Sequence, residues 1–397
     1  MENTYRILAQ DRKVNNDTWI TGLNNNDVII GPSGAGKTRG YVIPNILQAK
    51  ESMIVADTKG NLNRMLIRKL RRKGYRCRIL DFTGGYSTVG YNPLDYISYD
   101  KQKDTYSAVD IKTIAAAIVP AESKEPYWDY AARMYLESII AYVMECLPEE
   151  EHTLTVVHRL FRTMGTGQFD MLLRELSELN PESYAVSLYE LYKGNVCADR
   201  MHESIKGILA EKISVFALDC VEKLVQNNFR VDFEEMGTRK TILFLQISDT
   251  DRSMDRLVNL FFTQALHELC NAADKSEGYR LAVPVRLILD DFAANVYIPD
   301  FDKITSIIRS REISVSIILQ SLSQLYSMYG VDKANTILNN CDHCLYLGGQ
   351  DVDTARYISF KANKSVNSIL NMPISDAWLF ERGKEPVQVE KYQLQME

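Results

Sequence analysis

The stretch Asp27–Thr38 reads DVIIGPSGAGKT. Its first four residues, DVII, have the branched apolar character of a short buried strand. The next eight match the pattern G-x-x-x-x-G-K-[ST] without exception. Gly31, Gly34 and Gly36 are expected to let the backbone turn with its N–H groups pointing inward. RGYVIPNILQAK follows as a helix with a proline near its start, and a helix amino end attracts anions. A strand, a glycine-rich turn and a helix in that order build a phosphate cradle. Lys37 is placed to bridge terminal phosphates, and the Thr38 hydroxyl to ligate Mg²⁺. ATP with Mg²⁺ is the expected ligand. Gly31, Pro32, Ser33, Gly34, Ala35, Gly36, Lys37, Thr38 and Arg39 are its expected contacts.

Strand and helix signals alternate beyond this loop. SMIVAD reads as a buried strand, NLNRMLIRKLRRKGY as a basic amphipathic helix and RCRILDF as a further strand. From about residue 99 to 229 long helical patterns dominate and strands are hard to find. The rhythm then resumes with KTILFLQIS, MDRLVNLFFTQALHELCNAA, VRLILDD, FDKITSIIRSRE, SVSIILQ, a long helical LSQLYSMYGVDKANTILNN, HCLYLGG and DVDTARYISFKAN. DAWLFERGKEPVQVEKYQ reads as a hairpin around Arg382-Gly383. Alternation of this kind predicts an α/β fold with a mainly parallel sheet flanked by helices. The expected domains are a discontinuous nucleotide-binding domain, 1–98 and 211–397, and an inserted all-α domain, 99–210.

A phosphate loop needs an acid to hold its metal. LILDDF, residues 287–292, ends an apolar run in Asp290 and Asp291. Asp290 is the expected Mg²⁺ partner of Thr38. Asp291 stands where a base or water-positioning group belongs. The same pair also suits a plain strand end running into a turn. The next strand ends in Gln320, whose amide can donate and accept, and so can sense phosphate or orient water. Between them, Arg309 and Arg311 are candidates for an arginine finger that reaches a neighbouring subunit's nucleotide; exposed helix arginines are also common.

Bulk properties narrow the field. The chain has 397 residues and a net charge of -6, so no global basic field advertises nucleic acid. No apolar run approaches the ~18 residues of a membrane helix, and MENTYRILAQDRK has no signal-peptide core. The expected location is cytoplasmic. Seven scattered cysteines suit reduced thiols.

Several segments together resemble the type IV coupling proteins, the conjugative DNA-transfer ATPases of bacterial type IV secretion. They are GPSGAGKTRGYVIPNIL, SMIVADTKGNL, GYNPLDYI, LILDDFAANVYIPDFDKI, IILQSLSQLYSMYG and ILNNCDHCLYLGGQDVDTARYIS. The resemblance implies a RecA-like motor domain with an inserted all-α domain, acting as a homo-hexamer when active and a monomer when isolated. It implies ATP-driven movement of single-stranded DNA with its attached relaxase toward a secretion channel. By position, Lys37, Thr38, Asp290 and Gln320 take the family's phosphate, metal and sensing places, and Arg309 its trans-acting arginine. Asp291 takes the place of a glutamate, one methylene short. The family's amino-terminal membrane helices are not seen, so the expectation is docking at the inner membrane face through a membrane-anchored partner, or work in the cytoplasm. Rival readings are a nucleotide-gated cargo adaptor with little hydrolysis and a DNA-processing ATPase outside secretion.

Weaker signals have bland readings. The basic run Arg64–Arg78 reads as a solvated helix face or a phosphate-backbone contact. CDHC, Cys341–Cys344, lacks a second pair and reads as structural. YWDYAARMY reads as helix core. Asp57 and Lys59 follow a strand near the loop, where they can support the nucleotide site, but carry no assigned chemistry.

Overall fold

The computed structural model describes residues 4–48, 50–121, 125–163, 166–196, 198–292 and 296–394. Two compact units form: residues 1–80, 232–252 and 265–397, and residues 81–231 with 253–264. The limits 99 and 210 read from sequence lie within the second.

The first unit is organised by one sheet. Its strands are β1 Asp27–Ile30, β2 Ser52–Asp57, β3 Arg76–Asp81, β4 Thr241–Gln246, β5 Val285–Leu289, β6 Ile313–Leu319, β7 His343–Tyr346, β8 Asp376–Glu381 and β9 Val387–Glu390. They lie in the order β9-β8-β7-β1-β6-β5-β2-β4-β3. β7, β1, β6, β5, β2 and β4 are parallel neighbours, and β8 and β9 add an antiparallel edge. This is the RecA-like α/β architecture expected. Burial on both faces explains why β1, β2, β5, β6 and β7 are mainly apolar, with Asp27, Arg286, Ser314, Ser316 and His343 among the buried polar exceptions.

Alternate strand residues build the core beneath the loop helix. Ile29, Val55, Phe244, Ile288, Ile318 and Leu345 pack with Tyr41, Val42 and Ile46, and with Leu62, Leu66 and Leu70. The last three recur every four residues on the helix Asn61–Arg72 and make its buried stripe. Truncating one, as in Leu66→Ala, should cost about 2–5 kcal/mol. Arg64, Arg68, Lys69, Arg71 and Arg72 occupy the exposed face of that helix.

At the amino ends of the strands lies a charge cluster that the sequence did not announce. Asp27 accepts from Arg6 Nε at 2.8 Å and from the Tyr41 hydroxyl at 2.5 Å. Arg286 reaches Asp27 at 3.5 Å and Glu51 at 2.5 Å. Ser316 Oγ meets the Tyr41 hydroxyl at 2.8 Å, and His343 Nδ1 lies 3.2 Å from Arg6 Nη2. Burial alone would raise the Asp27 carboxyl, but Arg6, His343 and Arg286 hold it well below the usual carboxylate range. Arg6 comes from an amino-terminal hairpin, Tyr5–Ala9 with Arg12–Asn15, that the sequence reading missed. Asn45, on the loop helix, fastens that hairpin by accepting from Ile7 N–H and donating to Ile7 O, both at 2.8 Å.

Other departures are local. The segment expected as one long helix is two, Leu322–Tyr329 and Val331–Asn339, broken at Gly330, whose φ of 74° leaves the helical region. The second unit is mainly helical: Ala108–Ile118, Pro126–Cys146, Leu154–Thr163, Thr166–Leu179, Tyr184–Asn195, Asp199–Ile213 and Asp219–Gln226. Tyr184–Asn195 and Asp219–Gln226 were not read as helices, and a small ribbon, Tyr99–Asp100 with Thr105–Tyr106, was not foreseen. Tyr135, from the YWDYAARMY cluster, stacks on Tyr192 at 4.9 Å within the helical core. Tyr127 and Tyr130 of the same cluster are exposed. No helix among the described residues is long and apolar enough to cross a membrane.

Candidate nucleotide site

The phosphate loop leaves β1 against β6, where Gly31 N–H donates to Leu319 O at 3.1 Å. Gly34 and Gly36 have φ of 80° and 94°, left-handed values that favour glycine. Gly31 is glycine for another reason: a Cβ there would fall 2.9 Å from Leu347 Cβ and 3.0 Å from Ala35 Cβ. The loop therefore needs two glycines for its turns and one for close packing.

The following helix opens with a π turn, Lys37–Val42, before its α-helical part, Ile43–Gln48. Ile43 N–H donates to Thr38 O across five residues. Pro44 has no N–H to give, and its ring would crowd the carbonyl four residues back in a regular helix. The wider turn, with Gly40 at that position, accommodates it.

Lys37 Nζ donates to Gly31 O at 2.6 Å and Pro32 O at 3.1 Å, both on the loop itself. Burial lowers its pKa, against the pull of Asp291 and Asp290. The Thr38 hydroxyl lies 3.4 Å from Asp290 Oδ2. Asp290 is pushed up to about 6, first by burial and then by Asp291, with Lys37 opposing. Asp291 N–H donates to Asp290 Oδ1 at 3.1 Å, and Asp291 itself has a left-handed φ of 50°. Gln320 Nε2 donates to Asp291 Oδ1 at 3.2 Å. Residues from the ends of β1, β5 and β6 thus meet at one rim, where parallel α/β sheets place their ligands.

A cavity of about 490 Å³ opens over this rim. Pro32, Ser33, Gly34, Gly36, Lys37, Thr38, Arg39, Asp290, Asp291 and Gln320 line it, while Gly31 and Ala35 are absent from its lining. Its far wall comes from the turn after β2, including Thr58, Lys59 and Asn61. The sequence left that wall unassigned, because nothing local shows that β2 lies beside β5. The Thr38 hydroxyl and the Asp290 carboxylate are hard oxygen donors on one side of the cavity, and Asp290 is buried where its charge is costly. Such a pair suits Mg²⁺, which takes few protein ligands and keeps its water and phosphate partners.

The arginine candidates lie elsewhere. Arg309 and Arg311 precede β6, whereas the acid pair follows β5. The two strands are parallel, so these groups stand at opposite ends of the sheet. Arg309 Nη2 donates to Thr18 O at 3.2 Å, and Arg311 clasps Asp274 at 2.8 and 2.9 Å. Neither arginine serves the rim of its own chain. Cys344 is buried in β7, and Cys341 Sγ donates to Ile337 O at 3.4 Å. Burial raises both thiols.

A family model described as "Type IV secretory system Conjugative DNA transfer" matches residues 1–365. Protein VirD4 of Rhizobium radiobacter is 23% identical over 370 residues, covering 91% of this chain and 51% of that protein. Conjugal transfer protein TraG of Escherichia coli is 23% identical over 350 residues, covering 83% of this chain and 53% of that protein. The chain spans about half the length of the curated relatives it matches. Plasmid coupling protein TrwB, solved with the non-hydrolysable ATP analogue ADPNP, superposes with a TM-score of 0.69 at 17% identity, covering 94% of this chain and 86% of that one. VirB4 of Thermoanaerobacter pseudethanolicus superposes with a TM-score of 0.59 at 15% identity, covering 99% and 98%. At these identities the structural likeness is one of fold.

Proposed function

The chain belongs to the conjugative DNA-transfer family of type IV secretion, and from that premise we propose that it is an ATP-hydrolysing coupling protein. It recruits single-stranded DNA with its bound relaxase and drives that cargo toward a secretion channel. The observation that carries this reading is the meeting of Thr38, Asp290, Asp291 and Gln320 over one cavity. A likeness to a coupling protein solved with ADPNP, and with ADP and Mg²⁺, supports a nucleotide with Mg²⁺ at this site.

Each residue then has a part. The loop N–H groups hold the phosphates. Lys37 leaves the Gly31 and Pro32 carbonyls for the terminal phosphates, an exchange of neutral acceptors for charged ones. Thr38 and Asp290 would hold Mg²⁺, which when bound neutralises charge on the terminal phosphates. Asp291 accepts the proton of the attacking water, and Gln320 fixes the orientation of that carboxylate. Arg309 acts across a subunit boundary in a homo-hexamer, since its own rim is at the other end of the sheet. The helical unit is an inserted domain that recognises cargo. A membrane-anchored partner holds the assembly at the inner face of the membrane.

ATPase rate measured against protein concentration, with and without single-stranded DNA, tests this reading. Turnover per chain should rise with concentration and with DNA, and Lys37→Ala should abolish it. Concentration-independent turnover blind to DNA would sink the motor.

One observation favours a second reading. Asp291 is a methylene shorter than the family's glutamate, and Gln320 already engages it. A nucleotide-gated adaptor that hydrolyses slowly fits that feature. Asp291→Glu separates the two: a large gain over a near-silent parent selects the adaptor, a modest change the motor.

A further inference from the structure

Lys59 stands in the cavity wall, at a position to which the sequence reading assigned no chemistry. The turn that carries it is fixed. β2 ends at Asp57, which is buried and whose carbonyl accepts from Gly60 N–H at 3.3 Å. The Asp57 carboxylate accepts from Asn61 N–H and Asn63 N–H, each at 3.1 Å, and so caps the helix Asn61–Arg72. Gly60 has a φ of 61°, and a Cβ on it would fall 2.8 Å from Gln246 Cδ. The backbone of Thr58 and Lys59 is therefore held on both sides.

The side chain is the opposite. Lys59 is exposed, and among the described residues it makes no hydrogen bond or ion pair. Other exposed lysines, such as Lys303 and Lys384, find an acid three residues away. β2 pairs with β5 in parallel, Val55 opposite Ile288, so Asp57 and Asp290 end neighbouring strands side by side. Lys59 and the acid pair consequently face one cavity. An unpaired cation on a preorganised turn, in the wall of the cavity that two carboxylates also line, is arranged for an anion that arrives from outside.

We propose that Lys59 is a substrate-binding residue that contacts the terminal phosphoryl group of the nucleotide from the far wall of the cavity. The proposal rests on the nucleotide reading above. A triphosphate extends its last, most charged group toward Asp290 and Asp291, where repulsion is greatest. A compact ammonium there offsets that repulsion, and does so for the triphosphate far more than for the diphosphate. Lys37, which stands on the loop, serves both.

The test is binding of fluorescent ADPNP and fluorescent ADP, each with Mg²⁺, to the full chain and to Lys59→Ala, Lys59→Gln and Lys59→Arg. The Ala and Gln variants should weaken ADPNP about tenfold or more and ADP less than twofold, with Arg intermediate. Thermal unfolding of the two neutral variants should match the parent. Equal effects on both nucleotides, or none, overturn this proposal and leave the nucleotide site standing. Failure of the parent chain to bind ADPNP overturns the nucleotide reading and this proposal with it.

Discussion

The parallel strands of the sheet carry polar groups at their amino end and, after β1, β5 and β6, at their carboxyl end, and the two ends behave differently. At the amino end, Asp27, Arg6, Arg286, Glu51, Tyr41, Ser316 and His343 are buried and bonded chiefly to one another. Only Arg286 Nη2 and His343 Nε2 of that group are buried without a hydrogen-bond partner. At the carboxyl end, Lys37 falls back on loop carbonyls, Thr38 sits 3.4 Å from its acid and Lys59 has no partner among the described residues. The first cluster satisfies itself except at those two nitrogens of Arg286 and His343, and ties the sheet together. The second turns its polar groups toward a cavity. The same residue types serve structure where their partners are internal and function where they are not.

Breaking the amino-end cluster should have the largest effect. Asp27→Ala leaves Arg6 and Arg286 buried without their shared anion and should cost about 3–5 kcal/mol by denaturant unfolding. Because the folded carboxyl is depressed, the stability it supplies stands in full above the ordinary aspartate range, about pH 4, and is lost as pH falls below it. The acid limb of the parent's stability curve should be correspondingly shallower in the variant. At the other end, Asp290→Asn should reduce ATP turnover by about 100-fold or more while leaving the unfolding midpoint near that of the parent. A large loss of stability instead would erase the distinction between the two ends. Tyr41→Phe probes the connection between them, since Tyr41 stands on the phosphate-loop helix yet donates to Asp27. It should cost about 1.5–3 kcal/mol, the range for a hydrogen bond to a charged group. Nucleotide affinity of the folded variant reports how far the lower cluster positions the loop. Gln320→Ala should have the smallest effect, lowering turnover about tenfold with unchanged nucleotide affinity, a loss of orientation rather than of binding.

What could be read from sequence divides along similar lines. The phosphate loop, Asp290, Asp291 and Gln320 were legible because each is a short pattern at the end of an apolar strand. The glutamine needed only one topological step, that β6 enters between β1 and β5, and the register confirms that step. The Asp27 cluster was invisible because Arg6, Asp27, Arg286 and His343 are spread across the chain and meet only in the folded sheet. Lys59 was visible as a residue but not as a wall, which depends on β2 lying beside β5. The amino-terminal hairpin has strands of four and five residues joined without glycine or asparagine in the turn, so no local signal marks it. The helix Tyr184–Asn195 was obscured by its tyrosines, whose buried setting appears only once Tyr135 and Tyr192 are stacked.

The placement of that hairpin bears on synthesis. Gln10 N–H donates to Glu390 O, and Gln393 N–H to the side chain of Gln10, so the hairpin pairs with chain made about 380 residues later. β1 likewise gains β6 and β7 only after residue 313 and residue 343 have been made. At about 5–20 residues per second, the interval from Gln10 to Glu390 is on the order of 20–80 s. Meanwhile the helical stretch 81–231 leaves the ribosome in one piece, with most of its own partners at hand. The strand that leads into the phosphate loop is thus made well before the two strands that flank it. That order gives the nascent chain a long period in which β1 lacks both of its sheet neighbours.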